Sequence, residues 1–181
     1  MKLKLKNNLF LAGIALLIII LDQLSKFLVR QNLASGESWL PIPSLAPFLQ
    51  IVNWHNTGAA FGIFQSGNTI LKIFTSVIAV VIVIYYQQIP ASQKLARVSM
   101  SMMVGGALGN LIDRFTQGFV TDFISVGSFP VFNVADSCVT VGVGLLILAM
   151  LIQENKDRKA LNSDQTGAEE SGEPSRQGPV E

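Results

Sequence analysis

The sequence has little of the residue types that commonly hold metals or form covalent intermediates. Its 181 residues include one cysteine, Cys138, and one histidine, His55. A single cysteine cannot form a disulfide within the chain, and a zinc site normally takes three or four clustered nitrogen, sulfur or oxygen ligands. We therefore expect neither a metal site nor a cofactor.

Charged residues are also scarce, and they are distributed unevenly. They make up 14% of the chain, whereas an average soluble domain carries about 25%. Of the twelve acidic residues, only five precede residue 153, and half of the chain is hydrophobic. This composition predicts a membrane domain over residues 1–152 and a disordered cytoplasmic tail over 153–181. A net charge of +1 without a long basic run does not indicate nucleic-acid binding.

Four apolar stretches are long enough to cross a membrane as helices, since about 20 helical residues span roughly 30 Å. They are Leu9–Val29, Thr69–Tyr86, Leu95–Ile112 and Cys138–Ile152, the last extended by Asn133–Ser137. The lysines before the first stretch are also typical of a secretory signal peptide, but no A-x-A-like cleavage site follows. We therefore favour a permanent membrane anchor for this stretch.

The connection Gln31–Asn68 lacks helical periodicity and contains three prolines. Short apolar runs broken by asparagine and glycine predict short strands, with a turn at Asn56–Gly58. The segment GFVTDFISV, around Asp122, also has an extended pattern. The predicted fold is an all-α membrane protein with four transmembrane helices and a small extracytoplasmic β-rich loop region.

Lysine and arginine residues predict the orientation of these helices. They concentrate in the N-terminal tail, in the short connection between the second and third stretches, and after the fourth stretch. By the positive-inside rule, both termini then lie in the cytoplasm. The long connection Gln31–Asn68 and the segment between Asp113 and Asp136 are therefore expected on the outer side.

Polar residues collect at the predicted outer ends of the helices, where charges are costly and commonly functional. They are Asp22, Lys26, Asn110, Asp113, Arg114, Asp122, Asn133 and Asp136. Asp22 and Lys26 are four residues apart and share a helix face, either as an ion pair or as a support for a site. The pattern Asn133-x-x-Asp136 also suits a helix cap followed by an acid in the first turn.

Two aspartates at a membrane edge can hydrolyse a peptide by acid–base chemistry. Two close carboxyl groups share a proton, so one activates water while the other polarises the carbonyl. Spacing alone leaves the pair open among Asp22, Asp113, Asp122 and Asp136. A small transporter and a non-catalytic scaffold protein are the alternative interpretations.

Five short motifs resemble the lipoprotein signal peptidase family, also called signal peptidase II. They occur in the family's order over about 115 residues: DQLSK (Asp22–Lys26), NTGAAFG (Asn56–Gly62), GGALGNLIDR (Gly105–Arg114), GFVTDFI (Gly118–Ile124) and FNVADS (Phe132–Ser137). The resemblance implies a membrane aspartic endopeptidase that removes signal peptides from prolipoproteins. It also implies cleavage before a cysteine that carries a diacylglyceryl group.

The resemblance assigns roles residue by residue. It implies Asp122 and Asp136 as the catalytic dyad, and substrate-binding or supporting roles for Asn56, Asn110, Arg114, Asn133, Asp22, Lys26 and Asp113. The implied location is the bacterial cytoplasmic membrane, with the site near its outer face. The implied partners are prolipoproteins, membrane lipid and inhibitors of the globomycin type.

Overall fold

The structure is a computed structural model that describes residues 2–46, 48–58 and 67–171. The surroundings of side chains are described for residues 8–46, 48–58 and 68–159. The predicted motif Asn56–Gly62 continues beyond Gly58 into residues that lie outside the described part.

Four long helices form the body of the protein. They are α1 (Lys2–Asn32), α2 (Gly67–Tyr86), α3 (Lys94–Thr116) and α4 (Val134–Ser171). Each is long and apolar enough to cross a membrane, which confirms the four predicted spans. The helix α3 is the central one, because 67% of its spanning segment is buried, against 11–17% for the other three helices. The helices α1, α2 and α4 pack around α3.

Small residues on α3 allow its neighbours to approach closely. A Cβ atom at Gly105 would lie 3.0 Å from the backbone of Ala15 in α1, and one at Gly106 would meet the carbonyl of Ala135 in α4. A Cβ atom at Gly109 would lie 2.7 Å from Oδ2 of Asp22. Gly105 and Gly109, which are four residues apart, therefore lie at helix contacts, as expected for small residues in membrane helices.

A three-stranded antiparallel sheet covers one end of the helices. Its strands, in the order β1-β2-β3, are β1 (Ser38–Trp39), β2 (Leu49–Asn56) and β3 (Val120–Val126). A short 3₁₀ turn, Pro43–Leu45, joins β1 to β2. In the pairing of β2 with β3, Trp54 lies opposite Asp122. The predicted strands and the predicted extended segment around Asp122 are confirmed.

Three helices extend beyond their predicted ends. The helix α1 runs from Lys2 to Asn32, whereas the apolar stretch predicts Leu9–Val29. The helix α3 continues to Thr116, so that Asp113 and Arg114 lie on the helix and not after it. The helix α4 continues through Gln153 to Ser171, where composition predicts disorder. Helix-forming residues and four-residue pairs, such as Glu154 with Arg158 at 3.3 Å, favour the helix there. The division into two domains at residue 153 stays a prediction.

Candidate active site

Asp122, in β3, and Asp136, in the first turn of α4, are linked through Asn133. Asn133 lies between them and contacts both carboxyl groups. Its Nδ2 donates to Oδ1 of Asp122 at 2.6 Å, and its backbone N–H donates to Oδ2 of Asp136 at 3.2 Å. One residue therefore joins the strand that carries Asp122 to the helix that carries Asp136.

The start of α4 explains how Asp136 is held. Oδ1 of Asn133 accepts a hydrogen bond from the backbone N–H of Asp136 at 3.0 Å, and Oδ2 of Asp136 accepts one from the backbone N–H of Asn133. This is a reciprocal capping box, in which two otherwise unsatisfied donors at a helix start find partners. The helix-cap interpretation of Asn133 is confirmed, and the cap leaves one oxygen of Asp136 for a further partner.

Two further asparagines donate to the carboxyl groups, and each has its amide orientation set by another contact. Nδ2 of Asn56 donates to Oδ2 of Asp122 at 2.9 Å, while its Oδ1 accepts from the N–H of Gly58 at 2.9 Å. Nδ2 of Asn110 donates to Oδ1 of Asp136 at 2.7 Å. All four carboxylate oxygens of the aspartate pair thus accept an N–H.

The environment of Asp122 favours its protonated form. The residue is only 1% exposed. The pKa of Asp122 is raised to about 6, mainly by burial and further by the negative charge of Asp136, while hydrogen bonds from Asn56 and Asn133 oppose the rise. An aspartate whose pKa lies near neutrality can hold and release a proton during a reaction.

A buried lysine, Lys26, contacts Asn110, which in turn donates to Asp136. Nζ of Lys26 is 2.8 Å from Oδ2 of Asp22, 3.3 Å from Oδ2 of Asp113 and 2.8 Å from Oδ1 of Asn110. The side chains of Lys26, Asp22 and Asp113 are all fully buried. The three donors of the ammonium group therefore have three acceptors, and the contact with Asn110 turns that amide so that its nitrogen faces Asp136.

The contacts of Lys26 fit both interpretations of Asp22 and Lys26, as an ion pair and as a support for the site. The two residues form an ion pair, and the same lysine also contacts Asn110 beside the aspartate pair. Asp22 further accepts from the backbone N–H of Ala135 at 3.0 Å, and so ties α1 to the start of α4. The pair thus contacts the residues around the two aspartates, and its supporting role stays a prediction.

Asp113 fixes the backbone next to Asp122. Its Oδ2 accepts from the N–H of Thr121 at 2.9 Å, and Arg30 lies 3.5 Å from its Oδ1. Arg30 also donates to Oγ1 of Thr121 at 2.9 Å, and Gln23 donates to Asp113 at 3.3 Å. Asp113 therefore connects α1 and α3 to the strand that holds Asp122.

Sequence analysis did not identify Gln23, Arg30 or Thr121 as residues of this network. Arg30 follows Lys26 by four residues, so helical spacing places both on the same face of α1. Thr121 acts mainly through its backbone, for which no side-chain signal exists. The helical spacing could have revealed Arg30, but only the fold reveals Thr121.

A cleft of about 250 Å³ opens beside the aspartate pair. Its polar end is formed by Asn110, Arg114 and Asp136, and its walls are residues of α2, α3 and α4: Phe74, Thr75, Ile78, Ile82, Met103, Ala107 and Val139. Among the described residues, α2 and α4 have no extensive contact with each other. The cleft therefore lies between two helices that both pack on α3.

The structure brings the sequence-predicted residues to one place. Eight of them share one network of hydrogen bonds and ion pairs, namely Asp22, Lys26, Asn56, Asn110, Asp113, Asp122, Asn133 and Asp136. Arg114 lies apart from those contacts and lines the cleft. Within the described part of the chain, no cluster of three or more His, Cys, Asp or Glu side chains is arranged as a metal site.

Comparison with known proteins identifies the family. Residues 14–152 match the family model described as signal peptidase (SPase) II. The lipoprotein signal peptidase of Bacillus subtilis is 41% identical over 150 residues, which cover 81% of this chain and 96% of that protein. The lipoprotein signal peptidase of Dehalococcoides mccartyi is 48% identical over 136 residues, covering 72% and 82% of the two chains.

A solved structure of a bacterial membrane enzyme has the same fold. It superposes with a TM-score of 0.72 at 36% identity, covering 78% of this chain and 92% of that one. The match in sequence spans all four helices and the sheet. The chain therefore belongs to the signal peptidase II family of membrane proteases.

Proposed function

We propose that this protein is an aspartic endopeptidase that removes the signal peptide from prolipoproteins, cutting before a cysteine that carries a diacylglyceryl group. The observation that carries the proposal is the aspartate pair, whose four carboxylate oxygens accept N–H groups beside a cleft between membrane-spanning helices. Family membership supports prolipoproteins as the substrate class.

The proposed mechanism assigns a different role to each aspartate. Asp122 is the more buried of the two carboxyl groups, and burial is the main cause that raises its pKa to about 6, so we assign to it the shared proton and the polarisation of the scissile carbonyl. Asp136 lines the cleft, where its carboxylate takes a proton from the attacking water. The proton on Asp122 passes to the carbonyl oxygen as water adds, which gives a gem-diol intermediate. When the C–N bond of this intermediate breaks, Asp136 gives its gained proton to the leaving amine, and Asp122 recovers a proton from a hydroxyl group of the gem-diol.

The three asparagines keep the two carboxyl groups in place during this exchange. Asn56, Asn110 and Asn133 each donate to a carboxylate oxygen, and each is oriented by a second contact. Such preorganisation limits the motion needed to reach the transition state. Arg114, at the polar end of the cleft, is the residue placed to contact the backbone of the substrate.

The apolar cleft suits a substrate that is itself a membrane helix. Its walls are aliphatic and aromatic, and its polar end is at the aspartate pair. A signal peptide can therefore present its cut site to Asp122 and Asp136 while its hydrophobic segment stays in lipid. Cyclic peptides of the globomycin type are the proposed inhibitors.

We place the protein in the bacterial cytoplasmic membrane, with both termini in the cytoplasm and the aspartate pair near the outer face. Basic residues at the predicted inner ends of the helices support this orientation. The lipid-modified cysteine of the substrate would then lie in the outer leaflet, at the depth of the site.

The test is cleavage of a purified, diacylglyceryl-modified prolipoprotein by the enzyme in detergent. Asp122→Asn and Asp136→Asn should each lower kcat by at least about 100-fold, because each removes one acid–base group. Both variants should still insert into the membrane and elute as folded protein. Asp157→Asn, which changes an exposed carboxylate of α4, is the matched control and should cleave normally.

Either dyad variant cleaving at nearly the wild-type rate would contradict the assignment of that aspartate. A wild-type enzyme that leaves the lipid-modified substrate intact, under conditions in which an established family member cleaves it, would contradict the proposed function. Cleavage at a bond other than the one before the modified cysteine would contradict the proposed specificity.

A further inference from the structure

A second cavity lies on the side of the sheet away from β3. It has a volume of about 420 Å³, within the range of small-molecule sites. It is formed by the last turns of α1 and by the first two strands, and is lined by Leu28, Val29, Asn32, Leu33, Trp39 and Ile51. No residue of the aspartate network lines it, so the cavity has no part in the mechanism above.

The membrane-facing surface of α1 leads directly to this cavity. Leu17, Leu21, Leu24 and Leu28 are between 50% and 56% exposed and follow one another at spacings of four, three and four residues. They therefore form one face of a membrane-spanning helix, turned toward lipid. The last of them, Leu28, is also a wall of the cavity, so acyl chains along α1 have an unbroken apolar path into it.

The connection between β1 and β2 continues the same apolar surface. Between Trp39 and Phe48 the sequence contains no charged residue. Five large side chains of this segment are at least 41% exposed, namely Trp39, Leu40, Ile42, Leu45 and Phe48. A contiguous exposed apolar patch of this kind marks a protein or membrane contact. Its continuity with the lipid-facing side of α1 favours the membrane.

Trp39 suits the boundary between lipid and water. Its indole ring is 57% exposed and forms one wall of the cavity, while tryptophan is enriched at the level of lipid headgroups. Asn32, at the end of α1, adds a polar group to the same rim. The cavity thus has an apolar interior and a mixed rim, as expected for a site that holds an acyl chain below its headgroup.

We propose that the cavity between α1 and strands β1–β2 binds one acyl chain of a membrane phospholipid, with the exposed side chains of Trp39, Leu40, Ile42, Leu45 and Phe48 embedded at the membrane surface. The phospholipid is the proposed source of the chain because the cavity opens along the lipid-facing stripe of α1. The lipid of a substrate would instead reach the cleft between α2 and α4.

Fluorescence quenching by phospholipids with brominated acyl chains tests this proposal in the absence of substrate. The chain has only two tryptophans, Trp39 and Trp54, which are similarly exposed at 57% and 54%. Trp54→Phe leaves Trp39 as the only reporter, and Trp39→Phe leaves Trp54. In bilayers that contain a small fraction of brominated phospholipid, we expect stronger quenching of Trp39 than of Trp54.

A cavity variant and a matched control separate a bound chain from bulk lipid. On the Trp54→Phe background, Leu28→Tyr changes a wall of the cavity, whereas Leu24→Tyr changes an equally exposed residue one turn earlier on α1. We expect Leu28→Tyr to abolish the excess quenching of Trp39 and Leu24→Tyr to retain it. Equal quenching of the two tryptophans, or equal effects of the two tyrosine variants, would overturn the proposal.

The result does not depend on cleavage. A wild-type protein that binds the brominated lipid but leaves prolipoprotein intact would contradict the proposed function alone. A protein that cleaves normally without preferential quenching of Trp39 would contradict the lipid site alone.

Discussion

At the scale of single residues, Asp122 combines nearly complete burial with hydrogen bonds to two amide groups. Burial favours its neutral form, while the bonds from Asn56 and Asn133 favour its charged form. Burial is the larger effect, so the pKa of Asp122 rises from its ordinary value of 3.8 to about 6. The raised pKa that suits Asp122 to acid–base chemistry therefore also means that its ionisation lowers the free energy of unfolding.

The raised pKa of Asp122 predicts how the free energy of unfolding depends on pH. Because folded Asp122 binds its proton more tightly than the unfolded chain does, its ionisation destabilises the fold as pH rises from about 4 to 6, by about 3 kcal/mol at most. Asp122→Asn removes this effect. The difference in Tm between the variant and wild type, measured in detergent, should therefore be more positive at pH 7 than at pH 4.

Other titrating groups remain in both proteins, so the difference in Tm isolates residue 122. A difference that stays constant or becomes more negative between pH 4 and pH 7 would contradict the raised pKa of Asp122.

Lys26 gives a second prediction at this scale. Its ammonium group contacts two fully buried carboxylates, those of Asp22 and Asp113. Lys26→Met would leave an uncompensated buried negative charge and should lower the free energy of unfolding by about 3–5 kcal/mol. The measurement is reversible unfolding in mixed micelles, followed by circular dichroism.

The control restores the balance of charge. Combining Lys26→Met with Asp22→Asn leaves Asp113 beside Arg30, 3.5 Å away, with no excess negative charge. This double variant should be more stable than Lys26→Met alone. If the second substitution gave no recovery, charge balance could not be the reason that Lys26 is buried.

At the scale of whole elements, the central helix α3 sets the positions of α1 and α4. Gly105, Gly106 and Gly109 lie at the contacts, where their lack of a side chain brings the backbones together. The close contact at Gly109 also lets Asp22 of α1 lie against α3, where Lys26 contacts both Asp22 and Asn110. Helix packing and the geometry of the site therefore depend on the same small residues.

Adding one methyl group tests this dependence. Gly109→Ala places a Cβ atom 2.7 Å from Oδ2 of Asp22, which must move, so we expect a loss of about 1–3 kcal/mol in the free energy of unfolding and lower activity. Gly144→Ala, in α4, meets nothing within 4 Å and should be neutral or slightly stabilising. Equal effects of the two substitutions would show that the contact at Gly109 is unimportant.

The elements themselves were largely predictable from the sequence. Predominantly apolar stretches of spanning length identified all four helices, because backbone groups in lipid must be satisfied within a helix. The pattern around Asp122 identified a strand. The end of α3 was not predictable, because Asp113 and Arg114 are typical of a helix end, whereas Lys26 of α1 neutralises Asp113 within the helix. The end of α4 was not predictable either, because the composition after residue 153 indicated disorder.

The site was less predictable than the elements that build it. Hydrophobicity places Asp22, Lys26, Asp113, Asp122 and Asp136 at one end of the helices, but it does not determine which of them meet. Which of these residues come into contact depends on partners that are distant in the sequence, such as Asn56 with Asp122, and on backbone donors such as the N–H of Thr121. Only the resemblance of motifs selected Asp122 and Asp136, and their catalytic roles remain predictions.

At the scale of the whole molecule, the distribution of basic residues predicts which side of the membrane each connection faces. With Cys138→Ser as the background, Ser38→Cys in β1 should react with a membrane-impermeant maleimide added to spheroplasts. Ser92→Cys, between α2 and α3, should react only after the membrane is permeabilised. Both serines are exposed, so accessibility within the protein does not limit the reaction.

Permeabilised spheroplasts serve as the control, since both cysteines should then be labelled. Labelling of Ser92→Cys in intact spheroplasts would place the connection between α2 and α3 outside and would reverse the orientation.

The separation of α2 from α4 has a consequence for kinetics. We expect a substrate peptide to reach the cleft between these helices by diffusing within the plane of the bilayer, without first entering water. The concentration that governs its encounter with the enzyme is then the number of substrate molecules per unit area of lipid. Adding inert lipid at constant amounts of enzyme and substrate would lower the rate by surface dilution, even though the bulk concentrations stay unchanged.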